Sequence, residues 1–337
     1  MGWPSHAPGG GRHDWATYIE RGCVEPFRNA ARGMPDVDAP VDEGGRSMLM
    51  EVLAYAGGEP WLEIVKLLIG AGADVNRRDA GRRLVWDFAP TSGPGCDRIW
   101  RALIQSGLDV NTRGDKNETA LMRVCSVYDG SGDYSSVEAI VRLLLDAGAQ
   151  VNVVDQYQIS PLQSAAGTGN VKAVRVLLKD GADPNLAATS RRGALFEAAV
   201  RGHADVIQAL LQAGARIDAV TLGSRMASYP AFTSGIVDVE GVTPLIAAAE
   251  GGHFQALRLL VDAGADVNRA DASGFTPLMG AARAGHAKMV QFLLNPGARR
   301  DAVDAGGRNA QKHAAEFQKL NEIAPIFKRI PGNADPD

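Results

Sequence analysis

One phrase, Leu-Leu-x-Ala-Gly-Ala-Asp-Val-Asn, recurs down this 337-residue chain and limits its fold more than any other feature. It stands as LLIGAGADVN ending at Asn76, LIQSGLDVN at Asn111, LLLDAGAQVN at Asn152 and LLKDGADPN at Asn185. LLQAGARID to Asp218, LLVDAGADVN to Asn268 and LLNPGARRD to Asp301 complete the set. Its marker glycines, Gly72, Gly107, Gly148, Gly181, Gly214, Gly264 and Gly297, lie 35, 41, 33, 33, 50 and 33 residues apart. The base period is therefore 33 with insertions. A unit of that size cannot bury its apolar side alone, so neighbours must stack.

Two further signals keep phase with the glycines. Apolar doublets precede each one, such as Ile64/Val65 with Leu68/Ile69 and Val206/Ile207 with Leu210/Leu211. Residues at i, i+1, i+4 and i+5 share one face of an α-helix, and the glycine beyond them suits a left-handed C-terminal cap. Upstream lies a shorter helix, opened by SPLQSAAGTGN at Ser160, TPLIAAAEGGH at Thr243 and TPLMGAARAGH at Thr276. Weaker copies start at Ser47, Thr119 and Gly193. Ser or Thr supplies the N-cap, and proline at the first helical position is already set to a helical φ.

These residues resemble the ankyrin-repeat family, whose unit is a β-turn finger followed by two antiparallel helices. The resemblance implies an all-α fold, a solenoid of stacked helix-turn-helix units with short β-turn fingers. It spans residues 44–302 as seven repeats, with insertions near 128–136 and 219–240. Residues 1–12 read as a flexible leader, 13–43 as a degenerate N-terminal capping repeat, 303–330 as a C-terminal capping repeat and 331–337 as a tail. The family's Thr-Pro-Leu-His histidine is replaced by Met50, Trp86, Met122, Gln163, Phe196, Ile246 and Met279. In the family that histidine ties adjacent fingers, so this chain lacks that tie and gains a more hydrophobic seam. Pro26, Pro90 and Pro325 are expected to shorten or kink their helices.

Composition narrows the function. The net charge is −4, with 45% hydrophobic and 22% charged residues, enough to build a core and without the basic excess of a general nucleic-acid binder. No apolar run approaches a membrane span, and the opening MGWPSHAPGGGRHDW lacks a secretory apolar stretch. Cys23, Cys96 and Cys125 are too few and scattered for a disulfide framework, which points to a reducing, cytoplasmic setting. No nucleophile elbow, P-loop or dinucleotide fingerprint occurs, and Gly70 and Gly72 end a helix rather than open one. There is no CxxC or HxxxH, and Asp129, Ser131 and Asp133 fail as a calcium loop because Tyr134 and Ile140 replace its glycine and glutamate. His203, His253 and His286 share one repeat position and so serve the turn between helices, while Cys96 and Cys125 take packed positions. No metal and no cofactor is expected.

The remaining candidates are surface features. The insertion beyond Asp218 carries Met226, Tyr229, Phe232 and Ile236, a set able to form a contact knob. The alternatives are a loop that folds back on the array or a neutral insertion. All five tryptophans lie in the first 100 residues. Trp86 and Trp100 fall at the seam and core and Trp61 takes the turn-histidine slot, so the set reads first as packing for an irregular N-terminal region and second as an aromatic binding patch. Arg77, Arg78, Arg82 and Arg83 cluster on one finger, with Arg191 and Arg192 on a later one. Such charges keep a surface soluble, or pair with carboxylates of an acidic partner.

Stacked repeats present a concave face of fingers and first helices without a closed pocket for converging acid, base and nucleophile. The expected function is a non-enzymatic scaffold that binds another protein as a monomer, with neither nucleic acid nor membrane as partner. The expected contact column is Glu51, Asp87, Arg123, Ser164, Glu197, Ala247 and Gly280, with Thr168, Arg201, Glu250 and Arg283 beside it and Tyr229 and Phe232 on the insertion. The alternative is a dedicated regulatory or inhibitory subunit of one enzyme or toxin, using the same surface.

Overall fold

A computed structural model describes residues 24, 28, 36–56, 59–128, 134–186, 192–221 and 240–329. The chain divides into two compact units, Met1–Gln156 with Lys179–Gly181, and Tyr157–Leu178 with Ala182–Asp337. Helices account for all the regular structure among the described residues. One isolated antiparallel bridge, Arg78 to Leu84, marks a finger.

The first unit holds α1 (Met48–Tyr55) and α2 (Glu59–Gly70), α3 (Val85–Phe88) and α4 (Cys96–Gln105), and α5 (Ala120–Cys125) and α6 (Ser135–Asp146). First helices pack in sequence, α1 on α3 on α5, and second helices likewise, α2 on α4 on α6. The second unit holds α7 (Pro161–Thr168), α8 (Val171–Lys179), α9 (Ala194–Arg201), α10 (Ala204–Gln212), α11 (Pro244–Gly251) and α12 (Phe254–Asp262). After them come α13 (Pro277–Arg283), α14 (Ala287–Leu294), α15 (Ala310–Glu316) and α16 (Leu320–Arg329). Its first helices form the row α7, α9, α11, α13, α15, and α10, α12, α14, α16 form the second row.

The local chemistry follows the repeat. Ser47, Thr119, Ser160, Thr243, Thr276 and Asn309 each cap a first helix by accepting a backbone N–H three residues on. At the other end, all seven marker glycines hold φ between +84° and +99°. There the next N–H reaches back five residues, as from Ala73 to Leu68 at 3.1 Å and Ala182 to Leu177 at 2.9 Å, and closes the helix. All four residues of the last doublet quartet are buried, and three of each earlier one, for example Ile64, Val65 and Leu68, or Val206, Ile207 and Leu210. The fourth, such as Ile69 or Leu211, is half-buried in the final turn.

The seam is hydrophobic, as the substitutions implied. Met50, Trp86, Met122, Phe196, Ile246 and Met279 are all buried. Gln163 is buried too and turns its polar ends inward: its Oε1 accepts from Ser160 N at 2.7 Å, and its amide donates to the Arg192 carbonyl. Prolines act unequally. α3 is one turn long and stops before Pro90, whereas α16 runs through Pro325. Pro325 lies on an exposed side, so the expected break does not occur there. Pro26 lies outside the described residues.

Candidate protein-interaction surface

The fingers are locked by a different device from the missing histidine. The Asn that ends five of the seven repeat phrases donates its amide to the marker-glycine carbonyl of the next repeat. Asn76 reaches Gly107 at 2.9 Å, Asn111 reaches Gly148 at 3.0 Å, and Asn152 reaches Gly181 at 2.9 Å. In the second unit Asn185 reaches Gly214 at 3.0 Å and Asn268 reaches Gly297 at 3.1 Å. The Asn oxygen accepts in return, as from Asp109 N and Arg216 N, both at 2.8 Å. This ladder was visible as a recurring Asn, but the residue type alone did not reveal that it bridges repeats. Asp36-Val37-Asp38 is a further copy of the pattern missed in the sequence: Asp38 accepts Asp74 N at 2.9 Å.

The three turn histidines are structural, as expected. His203 Nε2 meets the Gly167 carbonyl at 3.2 Å, and His253 Nε2 meets that of Val200 at 2.8 Å. Each ring lies against a cap glycine of the preceding repeat. A Cβ on Gly169 would stand 2.7 Å from His203, and one on Gly202 would stand 2.4 Å from His253. These glycines are needed for space as well as for their positive φ. Cys96 and Cys125 are buried, and burial pushes both thiols up. Trp61 is only 4% exposed and packs rather than forming an aromatic patch, because α2 already includes it and turns it into the core. Trp86 and Trp100 are buried as well, with the Trp100 indole donating to the Pro90 carbonyl at 2.8 Å. Cys23, Trp3, Trp15, Arg191 and the residues Asp129 to Asp133 lie outside the described residues.

In the first unit the expected contact column is tied into the scaffold. Glu51 pairs with Arg46 at 2.8 Å. Asp87 turns back to accept Leu84 N at 2.7 Å, and burial raises its carboxyl against the pull of that N–H and of Arg123. Arg123 is half-buried rather than solvated. Its guanidinium donates to the Asp87 carbonyl at 2.6 Å and the Ala89 carbonyl at 3.3 Å, and burial depresses its pKa. The reason is the one-turn α3, whose C-terminal carbonyls have no further turn to receive them. Arg123 supplies the missing donors.

In the second unit, Glu197 on α9 lies between Arg192, at 3.7 Å, and Arg201, with which it makes an i,i+4 pair. Arg201 is exposed and lies over Gly167 of α7, whose added Cβ would be 3.1 Å from its Nη1. Ser164 and Thr168 are half-exposed on the same helix. Toward α11 and α13 the face closes. Ala247 and Gly280 are buried. Glu250, at 4% exposed, cannot meet a partner directly and pairs instead with Arg283. That guanidinium lies 4.6 Å from the Phe275 ring and 5.7 Å from Phe317, and burial, then Arg308, lowers its pKa. Tyr229 and Phe232 lie outside the described residues, as do Met226 and Ile236.

Among the described residues no group of three His, Cys, Asp or Glu is placed to hold a metal, and no helix is long and apolar enough to cross a membrane.

Known proteins share this arrangement. The family description "Ankyrin repeats (3 copies)" matches residues 92–188, 133–221 and 227–321, and "Ankyrin repeat" matches 44–80. Human ankyrin repeat and SOCS box protein 16 is 31% identical over 183 residues, 46% of this chain and 40% of that protein. Ankyrin repeat and KH domain-containing protein mask-1 of Caenorhabditis elegans is 28% identical over 137 residues, 41% of this chain and 5% of that protein. The chain thus spans two fifths or less of the curated relatives it matches. The crystal structure of the human ASB11 ankyrin repeat domain is similar at a TM-score of 0.57 and 25% identity, covering 71% of this chain and 96% of that one. With its repeat phrase, paired helices and fingers matched over more than half its length, this chain belongs to the ankyrin-repeat family.

Proposed function

We propose that this chain is a non-enzymatic module that binds a partner protein through its first-helix row and fingers. Ankyrin repeats generally mediate protein–protein interaction and typically act as scaffolds. The observation that carries the proposal is the α7–α9 face of the second unit. There Glu197, held by Arg192 and Arg201, lies with Arg201 over Gly167 of α7, the helix that carries half-exposed Ser164 and Thr168, and the finger that follows is held by the Asn185 bond to Gly214. Polar groups fixed before contact lose less conformational freedom on binding, which favours recognition.

The human and mouse relatives are named for ankyrin repeats together with a SOCS box. That pairing supports an adaptor role in which the repeats supply the recognition. A dedicated inhibitory subunit would use the same face and would co-purify stoichiometrically with one enzyme. The test is capture of the native partner by wild-type chain and by Ser164→Lys/Arg201→Glu. Loss of the partner with an unchanged melting curve supports the α7–α9 face, and equal capture refutes it.

A further inference from the structure

We infer that the tip of the second finger, residues 77–83, takes an acidic segment of a partner protein, with Arg82 as its contact residue. This rests on the protein-binding reading above and adds the chemistry of one partner element. The first observation is backbone conformation. Three residues after the aspartate that opens the finger turn, the chain must enter the left-handed region. Several other fingers place glycine there, Gly45 at φ +73°, Gly274 at +81° and Gly307 at +68°, whereas Asn117 at +61° and Gln158 at +64° take the same place on two more. The second finger places Arg82 there at φ +63°. A side chain in that region is disfavoured, and an arginine gains nothing local from it. Of the three non-glycine residues at that place in the described fingers, Arg82 alone is a cation.

The second observation is how the neighbouring cations are used. Arg78 donates to the carbonyls of Arg82 at 2.9 Å and Arg113 at 2.5 Å. Arg113 in turn donates to those of Asn117 at 2.8 Å and Val154 at 2.9 Å. Arg83 is tied to Asp79 at 2.7 Å and lies over Phe88. These three arginines hold the fingers. Arg82 differs, with a side chain 75% exposed and its nearest acid, Asp115, at 3.8 Å and itself 63% exposed. Water screens that pair. Lys116 stands exposed on the adjoining tip. A planar guanidinium with an unsaturated fork, next to an ammonium, matches the carboxylates of an acidic peptide.

A nucleic acid fits less well. Residues 74–83 and 109–118 contain no aromatic side chain on which a base could stack.

The experiment titrates labelled octaglutamate, octaglutamine and a short single-stranded DNA against the purified full chain, by fluorescence anisotropy at low and physiological salt. Octaglutamate is expected to bind, octaglutamine to fail, and Arg82→Gly to weaken octaglutamate about tenfold. The melting temperature of Arg82→Gly should stay level or rise, because glycine suits that φ. Asn117→Gly, which relieves the same conformation at φ +61° on the next finger, should leave octaglutamate affinity unchanged. Wild-type octaglutamate affinity in Arg82→Gly, or no binding to the wild type, overturns the assignment. So does DNA binding that exceeds octaglutamate binding and depends on Arg82. Retained capture of the native partner alongside a silent tip would sink this inference alone, since the α7–α9 variants test the broader reading.

Discussion

Replacing Arg123 by alanine should weaken the first unit without any partner present. The guanidinium gives two hydrogen bonds, 2.6 Å to the Asp87 carbonyl and 3.3 Å to that of Ala89, at the open end of a one-turn helix. Hydrogen bonds from a charged donor contribute roughly 1.5–3 kcal/mol each when buried. The site is only half-buried and the second bond is long, so water replaces part of what is lost. A cost of about 2 kcal/mol follows. For a unit of this size that lowers the melting temperature by about 4–8 °C. Arg123→Lys keeps the charge but loses the planar fork, and should recover about half of the loss. Urea denaturation read by tryptophan fluorescence suits the test, since Trp86 and Trp100 both lie in the affected helix pair. If Arg123→Ala unfolds within about 0.5 kcal/mol of the wild type, the capping account is wrong.

Further outcomes follow from the packing and the charges. Leu177→Ala or Leu210→Ala, each removing a fully buried side chain, should cost about 2–5 kcal/mol in urea melts. Cys96 and Cys125 should resist iodoacetamide in the native chain and react on unfolding, because burial raises both thiols. At Asp304, burial pushes the carboxyl up, but bonds from Arg308 and His313 prevail and hold it at about 2. Its stabilising effect is therefore complete above the ordinary carboxylate pKa and fades as pH falls toward 2. Burial lowers the His313 pKa, so acidification below the ordinary histidine value, 6.5, weakens the same helix pair in the same direction. Hydrogen exchange over α15 and α16 should rise on acidification, and Asp304→Asn should flatten that response. Truncation before residue 305 should cause aggregation, because Leu293 and Leu294 on α14 would lose the cover that α16 gives them.

Much of the fold was legible because a 33-residue period repeats its physics. Doublet spacing gave the second helices, Ser and Thr the N-caps, and the marker glycines the helix ends. The site was less legible, and for a physical reason. A polar residue in a variable slot reads as solvated, yet its environment is set by the adjoining repeat. Arg123 was drawn inward by the shortness of α3, and only Pro90 hinted at that. Glu250 was buried by Arg283, a partner one repeat away, and Trp61 by the early start of α2. The Asn ladder recurs in the sequence, but hydrogen bonds between residues about 30 apart are not visible from either residue alone. Pro325, read as a breaker, is carried inside α16 on an exposed side.

The most direct test of the central claim is a titration of the purified native partner against wild-type chain and Ser164→Lys/Arg201→Glu, with melting curves in parallel. The account predicts at least about tenfold weaker binding for the double variant, with a melting temperature within about 2 °C of the wild type. Unchanged affinity at unchanged stability would contradict it and remove the α7–α9 face as the recognition surface.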